Sequence, residues 1–260
     1  MTAPPRSLPF SFTGEVALVT GAASGIGAAT TELLAGAGLQ VLALDRTPVS
    51  RTETGGAAGS VTTVTADITD EAGLDEVIRA HVGDAGLSYL ANCAGIHAQS
   101  GFDDAAVTDW RRILDVNLVG AFTVTRVVSP WLRRAPAAAV VNVTSLEAHR
   151  VVALVNPDPA LHYAASKAGL EMLTRGLART LAGDGVRVNA VAPGVVATPM
   201  ALGNHHNPDG AIPKQLKARI PLQRYASAAE IASSIAFLLS DQAAYITGST
   251  LLVDGGFSTT

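Results

Sequence analysis

Short apolar runs recur along the chain and are separated by longer stretches with helical periodicity. The runs are rich in β-branched residues, which is typical of strands buried on both faces of a parallel sheet. They occupy positions 16–19, 41–44, 61–64, 89–91, 140–143, 186–191 and 251–253. Between them, apolar residues follow a helical period over 25–37, 70–82, 103–134, 161–182 and 227–240. This pattern predicts strands that alternate with helices.

The alternation of strand and helix predicts the architecture. Parallel strands need crossover connections, and a helix between successive strands supplies them. We therefore expect an α/β fold with a Rossmann-like, doubly wound parallel sheet of about seven strands, flanked by helices. Residues 13–260 should form this single domain, and residues 1–12, which contain several prolines, are predicted to be a flexible tail. The crossover at 47–60 has no helical period, so a loop or a stub of helix is expected there.

Composition narrows the function classes. The 260 residues are 48% hydrophobic and 15% charged, which supports a large core and excludes a disordered chain. A net charge of -4 gives no sign of nucleic-acid binding. The single cysteine, Cys93, cannot form an internal disulfide, which fits a reducing cytoplasm. There is no signal-peptide core, and no apolar run approaches the ~20 residues that span a bilayer, so a cytoplasmic protein without a membrane partner is expected.

A glycine-rich turn joins the first predicted strand to the first predicted helix. It reads Thr-Gly-Ala-Ala-Ser-Gly-Ile-Gly over 20–27. Such a turn lets the backbone approach a pyrophosphate, and the helix N-terminus supplies N–H donors. Asp45 ends the second run about 20 residues on, where a carboxylate takes the adenosine ribose hydroxyls and repels a 2′-phosphate. The sequence thus favours NAD over NADP, although the neighbouring Arg46 is a basic group able to pair with a phosphate.

Tyr163 and Lys167 are four positions apart, which places them on one face of the predicted helix 161–182. A phenol titrates near ~10 and is a poor base at neutral pH. A nearby ammonium favours the phenolate and lowers the pKa of the phenol. The pair is a candidate acid/base unit, although this spacing is also common in helices without a catalytic role.

Taken together in chain order, the motifs resemble the short-chain dehydrogenase/reductase family from about Gly14 to Gly256. The matching segments are 20–27, Asp67-Ile68, 92–95 (Asn-Cys-Ala-Gly), 116–118 (Val-Asn-Leu), Ser145, Tyr163 with Lys167, 189–194 and 253–256 (Val-Asp-Gly-Gly). Each is weak evidence alone, but all of them in the family's order are strong evidence. The resemblance implies an NAD-dependent short-chain alcohol dehydrogenase or ketoreductase that acts on CH–OH donors.

The resemblance also implies roles for individual residues. Ser145 and Tyr163 would hydrogen-bond the substrate oxygen, and Tyr163 would give or take its proton. Lys167 would hold the nicotinamide ribose and lower the pKa of Tyr163, and Asn117 would anchor a water that relays protons. The other implied cofactor-binding residues are Gly21, Ser24, Gly25, Ile26, Gly27, Asp45, Arg46, Asp67, Ile68, Asn92, Ala94, Gly95, Pro193, Gly194, Val196 and Thr198.

Assembly is a further implication of the resemblance. Members of the family pair helices equivalent to 103–134 and 161–182 across two-fold axes into tetramers. A homotetramer is therefore expected here, with a homodimer as the alternative. The helix 161–182 offers apolar candidates for burial at Ala164, Ala165, Ala168, Leu170 and Leu173.

The segment between the two oxygen-binding side chains is longer than is typical of the family. Ser145 and Tyr163 are 18 positions apart, so residues 150–161 are predicted to loop out and gate the substrate. This segment and a substrate lid at about 195–224 would cover the pocket with Leu146, Val151, Val152, Leu154, Val155, Met200 and Leu202. A bulky apolar or alicyclic secondary alcohol or ketone is the expected substrate. Thr144 is a weaker candidate than Ser145 for the catalytic hydroxyl.

Three histidines and one glutamate are not predicted to bind a metal or to take part in catalysis. His205 and His206 are adjacent and have no third ligand at a suitable spacing, so a polar lid loop is favoured over a metal site. His162 is expected at the surface. Glu147 has no evident catalytic partner in the sequence.

Two rival functions stay open. An NADPH-dependent 3-oxoacyl reductase would prefer a basic residue in place of Asp45 or near the glycine-rich turn. A cofactor-binding regulator without turnover would be expected to lack Tyr163 or Lys167, and both are present. The small-molecule dehydrogenase is therefore the favoured hypothesis.

Overall fold

Parallel strands form one sheet in the computed structural model, which describes residues 10–49, 59–83, 86–98, 100–152, 159–204 and 214–260. The strands of these ranges are β1 (Val16–Thr20), β2 (Gln40–Asp45), β3 (Ser60–Thr65), β4 (Tyr89–Asn92), β5 (Ala138–Val143), β6 (Val186–Pro193) and β7 (Thr250–Val253). They lie in the order β3-β2-β1-β4-β5-β6-β7, and every neighbouring pair is parallel. The predicted doubly wound sheet is confirmed.

Helices cover both faces of this sheet. They are α1 (Gly25–Gly36), α2 (Glu71–Val82), α3 (Val107–Leu114), α4 (Ala121–Leu132), α5 (Leu161–Leu181), α6 (Pro199–Asn204), α7 (Lys214–Arg219) and α8 (Ala228–Leu239). Leu74 of α2, Val128 of α4 and Ala178 of α5 belong to one hydrophobic cluster. Leu34 of α1 and Ile235 of α8 belong to the other. The sheet is therefore the middle of three layers.

Successive side chains of each strand enter opposite cores. In β1, Val16 and Leu18 lie in the cluster that contains α2, α4 and α5, whereas Ala17 and Val19 lie in the cluster that contains α1 and α8. This is the period-two alternation of a pleated strand. Because helices cover both faces, neither set of side chains needs to be polar, which explains the continuous apolar runs of the sequence.

Polar side chains cap the starts of two helices. The Asp70 carboxylate accepts a hydrogen bond of 3.2 Å from the Gly73 N–H at the start of α2. Ser227 and Glu230 form a capping box at the start of α8, in which the Glu230 carboxylate accepts from the Ser227 N–H at 2.8 Å. Each contact satisfies N–H groups that the first turn of a helix leaves without partners.

The predicted helix 103–134 differs in detail. It begins at Val107, and a π-helical segment, Asp115–Gly120, separates α3 from α4. A wider turn of this kind leaves apolar periodicity almost unchanged, so the sequence pattern did not reveal it. The stretch Val107–Leu132 is long enough to cross a bilayer and contains an 18-residue window with a mean hydropathy of 1.2, contrary to the expectation that no run approaches that length. Half of its most apolar window is nevertheless buried inside the fold, as in a core helix.

The end of the predicted N-terminal tail is attached to the domain. Phe10 and Phe12 pack against the cluster of α1 and α8, and the Ser11 N–H donates to Gln242 Oε1 at 3.2 Å. Of the crossover at 47–60, only 47–49 and 59–60 belong to the described residues. The loop predicted for the rest lies outside them.

Candidate active site

A cleft opens at the carboxyl ends of β1 and β4, where the winding of the sheet reverses direction. Ligands of open α/β sheets bind at such switch points. Two cavities, of about 210 and about 320 Å³, lie in this cleft. Ile26, Gly95 and Thr198 line both cavities, so the two form one continuous site.

The glycine-rich turn lies on the wall of the larger cavity. Gly21 has a φ of +69°, and a Cβ at this position would come within 2.8 Å of the Ala94 backbone. A Cβ at Gly27 would lie 2.1 Å from the Gly21 carbonyl oxygen. Only glycine fits at either position, and both allow α1 to start directly against the strand end. Ser24, which precedes α1, makes no capping hydrogen bond with its side chain, so it leaves the first N–H groups of the helix without that partner.

Asp45 lines the larger cavity. Its carboxylate accepts hydrogen bonds from the Ala23 N–H at 3.1 Å and from the Thr47 N–H at 3.0 Å, which fixes the acid beside the glycine-rich turn. Arg46 is exposed on the same wall. Hydrogen bonds from Thr69 lower the pKa of Asp67, and the positive charge of Arg46 contributes to that lowering. Arg46 therefore lies on the Asp67 side of the cleft.

Almost all of the predicted cofactor-binding residues line the cleft. Those on the larger cavity are Gly21, Ser24, Gly25, Ile26, Gly27, Asp45, Arg46, Asp67, Ile68, Ala94 and Gly95. Those on the smaller cavity are Tyr163, Lys167, Pro193, Gly194, Val196 and Thr198. Asn92 is not brought to the cleft. Its side-chain amide is buried and donates to Asn142 Oδ1 at 2.8 Å and to Thr125 Oγ1 at 3.1 Å, because β4 turns this residue into the core.

Ser145, Tyr163 and Lys167 meet in the smaller cavity. Ser145 follows β5 directly, and its side chain hydrogen-bonds to Tyr163 in the first turn of α5. Lys167 Nζ donates to the Val143 carbonyl at 2.8 Å and lies 5.7 Å from the centre of the Tyr163 ring. The Thr144 hydroxyl instead donates to the Val191 carbonyl at 3.1 Å. Ser145, rather than Thr144, is therefore the hydroxyl beside the tyrosine.

Burial shifts the pKa values of Tyr163 and Lys167 in opposite directions. It raises the pKa of Tyr163, the negative charge of Glu147 raises it further, and the hydrogen bond with Ser145 partly offsets both. Burial also lowers the pKa of Lys167 to about 8. The expected lowering of the Tyr163 pKa by Lys167 is thus not found, because desolvation and a nearby acid act in the opposite direction. In this structure the phenol is a proton donor at neutral pH.

Asn117 lies one layer behind the cavity, in the π-helical segment Asp115–Gly120. Its Oδ1 accepts from the Ile96 N–H at 2.8 Å, and its Nδ2 donates to the Ile96 carbonyl at 2.9 Å and to Ser166 Oγ at 3.0 Å. A Cβ at Gly95 would lie 3.3 Å from both Asn117 Oδ1 and Lys167 Nζ. Asn117 therefore holds the loop after β4 next to the lysine.

His162 is buried, not at the surface as predicted, and is only 1% exposed. Its Nδ1 accepts from the Tyr163 N–H at 2.8 Å, so the ring proton lies on Nε2, which donates to Ser100 Oγ at 2.9 Å. The Trp110 ring packs edge-on at 5.9 Å. His162 thereby ties α3 and the loop after β4 to the turn that carries Tyr163.

Comparison with known proteins assigns the chain to a family. A short-chain dehydrogenase family model, described as enoyl-(acyl carrier protein) reductase, matches residues 21–258. The chain is 39% identical over 248 residues to 3-oxoacyl-(acyl-carrier-protein) reductase FabG of Thermotoga maritima, covering 94% of this chain and 97% of that protein.

The chain belongs to the short-chain dehydrogenase/reductase family.

Two further relatives differ in the substrates that their names give. 3beta-Hydroxysteroid dehydrogenase 1 of Eggerthella lenta is 35% identical over 257 residues, and the match covers 94% of each chain. A crystal structure from Beutenbergia cavernae, named as an NAD(P)-dependent gluconate 5-dehydrogenase and containing NADP at low occupancy, has a TM-score of 0.84 at 34% identity. That match covers 97% of this chain and all of the other. The short-chain dehydrogenase family thus includes close relatives of this chain with quite different substrates.

The sequence missed two polar residues of this dehydrogenase site. Glu147 lines the smaller cavity, and the His97 ring packs against Tyr163 at a tilt of 57°, with 4.5 Å between ring centres. Glu147 follows Ser145 by two positions after β5, so its closeness to a residue that the family resemblance had assigned could have indicated the glutamate. His97 is in the irregular loop after β4, where no sequence pattern predicts the direction of a side chain.

The insert and the lid contribute fewer side chains than predicted. Val152 and Met200 line the smaller cavity, whereas Val151 is exposed and Leu146 is buried in a small cluster with Leu216. Val152 packs against that same cluster, which connects the insert to the lid. Leu154, Val155 and the side chain of Leu202 lie outside the described part of the structure.

Metal-ligating side chains do not converge in the described ranges, where no group of three His, Cys, Asp or Glu residues is placed to hold an ion. His205 and His206 lie outside those ranges.

Proposed function

We propose that this chain is an NAD(H)-dependent short-chain dehydrogenase that transfers a hydride between NAD(H) and a secondary alcohol or ketone. One observation carries the proposal: the cavity that holds Ser145, Tyr163 and Lys167 is continuous with a cleft that is lined by the glycine-rich turn and Asp45. Nicotinamide bound there would accept or supply the hydride. Its ribose would bind Lys167, and its adenosine end would reach Asp45.

The chain's own residues would handle the proton. Ser145 and Tyr163 would bind the substrate oxygen from one side, and Tyr163 would donate its proton as that oxygen becomes negative in ketone reduction. The raised pKa of Tyr163 favours this direction near neutral pH. Alcohol oxidation needs the phenolate, so its rate should increase as the pH rises.

Cofactor choice depends on Asp45. Its carboxylate faces the cleft beside the glycine-rich turn, where it would accept hydrogen bonds from the ribose and repel a 2′-phosphate. Arg46 is the opposing influence, since an exposed guanidinium on the same wall could pair with that phosphate. We propose a preference for NAD of at least ~10-fold, about 1.4 kcal/mol.

The substrate we propose is a bulky, mainly apolar or alicyclic secondary alcohol or the matching ketone. The apolar side chains of Val143, Val152, Val195, Met200 and Leu216 line the smaller cavity. Such walls favour a hydrocarbon skeleton over a charged one.

The proposed assembly is a homotetramer in the cytoplasm. Large apolar side chains are exposed on α4 and α5, among them Phe122 at 39%, Leu161 at 37% and Met172 at 62%. Ala165 and Ala168 are exposed on the same helix as Met172, whereas Leu170 is already buried within the protomer. Exposed apolar helix faces of this kind support burial between subunits.

Steady-state kinetics tests the proposed function. Purified protein would be assayed with secondary alcohols and ketones, each with NAD(H) and NADP(H), by the absorbance of the reduced nicotinamide. Tyr163→Phe removes one oxygen and should lower turnover by ~10²–10⁴-fold while NAD still binds. Near-wild-type turnover by the variant would reject the role of Tyr163, and equal or better kcat/KM with NADP would reject the cofactor assignment.

A second candidate is an NADPH-dependent 3-oxoacyl reductase, favoured by the name of the Thermotoga maritima relative. With acetoacetyl thioesters added to the same panel, it would reduce them with NADPH and would leave simple secondary alcohols unoxidised. A regulator without turnover would bind the cofactor and convert nothing in the panel. The same assay therefore separates the three functions.

A further inference from the structure

Glu147 is a carboxylate in the wall of the catalytic cavity. It lies in the short helix Leu146–Ala148, and its N–H donates to Ser145 Oγ at 3.1 Å. Its side chain faces the same space as Ser145 and Tyr163, close enough for its charge to raise the pKa of Tyr163. The carboxylate therefore lies in the same cavity as the two side chains that would bind the reacting oxygen.

The charge of this carboxylate has no partner within the described part of the chain. No ion pair or hydrogen bond there ends on its oxygens, and burial raises its pKa to about 7. The basic neighbours along the chain have other partners. His149 Nε2 lies 3.0 Å from Glu171, and the Arg150 guanidinium donates to the Ser258 carbonyl. A buried acid without a partner destabilises a fold unless a ligand supplies one.

Glu171 is an example in the same protein of a buried glutamate with a structural role. It is more deeply buried than Glu147, and its carboxylate accepts from Arg175 at 2.6 Å and from Thr250 Oγ1 at 3.0 Å and pairs with His149. Every polar requirement of Glu171 is met inside the chain. Glu147 has none of these contacts and faces a cavity instead, which indicates a role towards a bound molecule.

We propose that Glu147 binds a second hydroxyl group of the substrate, on the carbon next to the reacting one. This inference rests on the proposed function. The preferred substrate is then a vicinal diol, or the matching α-hydroxyketone, on an apolar skeleton. Ser145 and Tyr163 would hold the reacting oxygen, so a group that also reaches Glu147 must be attached close to the reacting carbon.

A hydroxyl fits this site better than an ammonium does. A hydroxyl donates to an ionised carboxylate and accepts from a protonated carboxyl, and Glu147 exchanges its proton near neutral pH. An ammonium can only donate, and it would also enter a cavity that already holds the Lys167 ammonium. The apolar walls at Val143, Val195 and Leu216 match the rest of an alicyclic diol.

The experiment compares three substrates that differ in one group: cyclohexanol, 1,2-cyclohexanediol and 2-aminocyclohexanol, each in its separate stereoisomers. They are assayed with wild type, Glu147→Gln, Glu147→Leu and the control Glu76→Gln, which makes the same change at an exposed site on α2. Wild type and the control should prefer the diol over cyclohexanol by ~10-fold or more in kcat/KM. Glu147→Leu should lose that preference, and Glu147→Gln, which keeps one acceptor oxygen, should fall between them.

The other outcomes overturn the inference, and one of them overturns the proposed function as well. If cyclohexanol and the diol are both oxidised at a ratio that neither Glu147 variant changes, the inference is overturned and the proposed function stands. If only the preference for the amino alcohol depends on Glu147, the hydroxyl assignment is overturned. If wild type oxidises nothing with either cofactor, the proposed function fails and the inference fails with it. Should Glu147→Leu not fold, Glu147→Gln must by itself lower the preference for the diol.

Discussion

Replacement of Glu147 by glutamine should stabilise the fold at high pH. Burial in the cavity raises the pKa of Glu147 from 4.5 to about 7. The folded protein therefore binds this proton more tightly than the unfolded chain does, and ionisation of the carboxyl opposes folding. Glutamine has nearly the same shape and no charge, so it removes the opposition.

The size and sign of the effect follow from that shift. The difference in pKa between the two states is worth about 3 kcal/mol. Below pH 4.5 the carboxyl is protonated in both states and the variant gains nothing. The gain grows as the pH rises through the interval from 4.5 to about 7 and is complete above it. For a domain of this size, about 3 kcal/mol raises Tm by roughly 5–10 °C.

Thermal unfolding at a fixed protein concentration measures this difference. Wild type, Glu147→Gln and the exposed control Glu76→Gln would be compared at about pH 5 and about pH 8. The other titratable groups of the cavity, Cys93, His97, Tyr163 and Lys167, are common to all three proteins, so their direct contributions cancel in the comparison. Only Glu147→Gln should gain Tm with pH. A gain that is equal at both pH values, or that the control shares, would refute the reasoning.

Three further outcomes are expected. Asp45→Ser should lower the ratio of kcat/KM for NAD to that for NADP by ~10-fold or more, because the charge that repels a 2′-phosphate is gone; an unchanged ratio in steady-state kinetics would contradict this. His162→Leu should destabilise the fold by ~1–3 kcal/mol in urea unfolding, because Ser100 Oγ and the Tyr163 N–H lose their partner; an unchanged midpoint and slope would exclude that role. Met172→Glu should reduce the mass measured by light scattering, because a charge enters an apolar subunit interface; an unaltered tetramer would place the interface elsewhere.

Local sequence patterns were enough to predict the strands, helices and turn that carry the site. The order of strands and helices followed from apolar periodicity, because burial on both faces of a parallel sheet demands continuous apolar runs. The turn from Gly21 to Gly27 was readable because only glycine permits its close approaches. Tyr163 and Lys167 share a face of any α-helix, so their pairing needed no tertiary information.

Side-chain environments depended on contacts between distant parts of the chain. Asn92 lies in a segment that matches the family, yet its side chain turns into the core, because the pleat of β4 sets its direction. His162 is buried because Ser100 and Trp110 come from other elements and pack over it. Neither outcome is visible in the residues beside these positions.

The protonation of the groups in the cavity also depends on contacts between distant parts of the chain. The sequence determined that Tyr163 and Lys167 would meet, but not that burial and Glu147 would raise the pKa of the phenol. Desolvation depends on everything packed around a group, and the charge of Glu147 reaches Tyr163 only because the end of β5 lies against the start of α5. Sequence therefore determined which groups form the site, and tertiary packing decided their protonation and left one carboxylate facing the substrate.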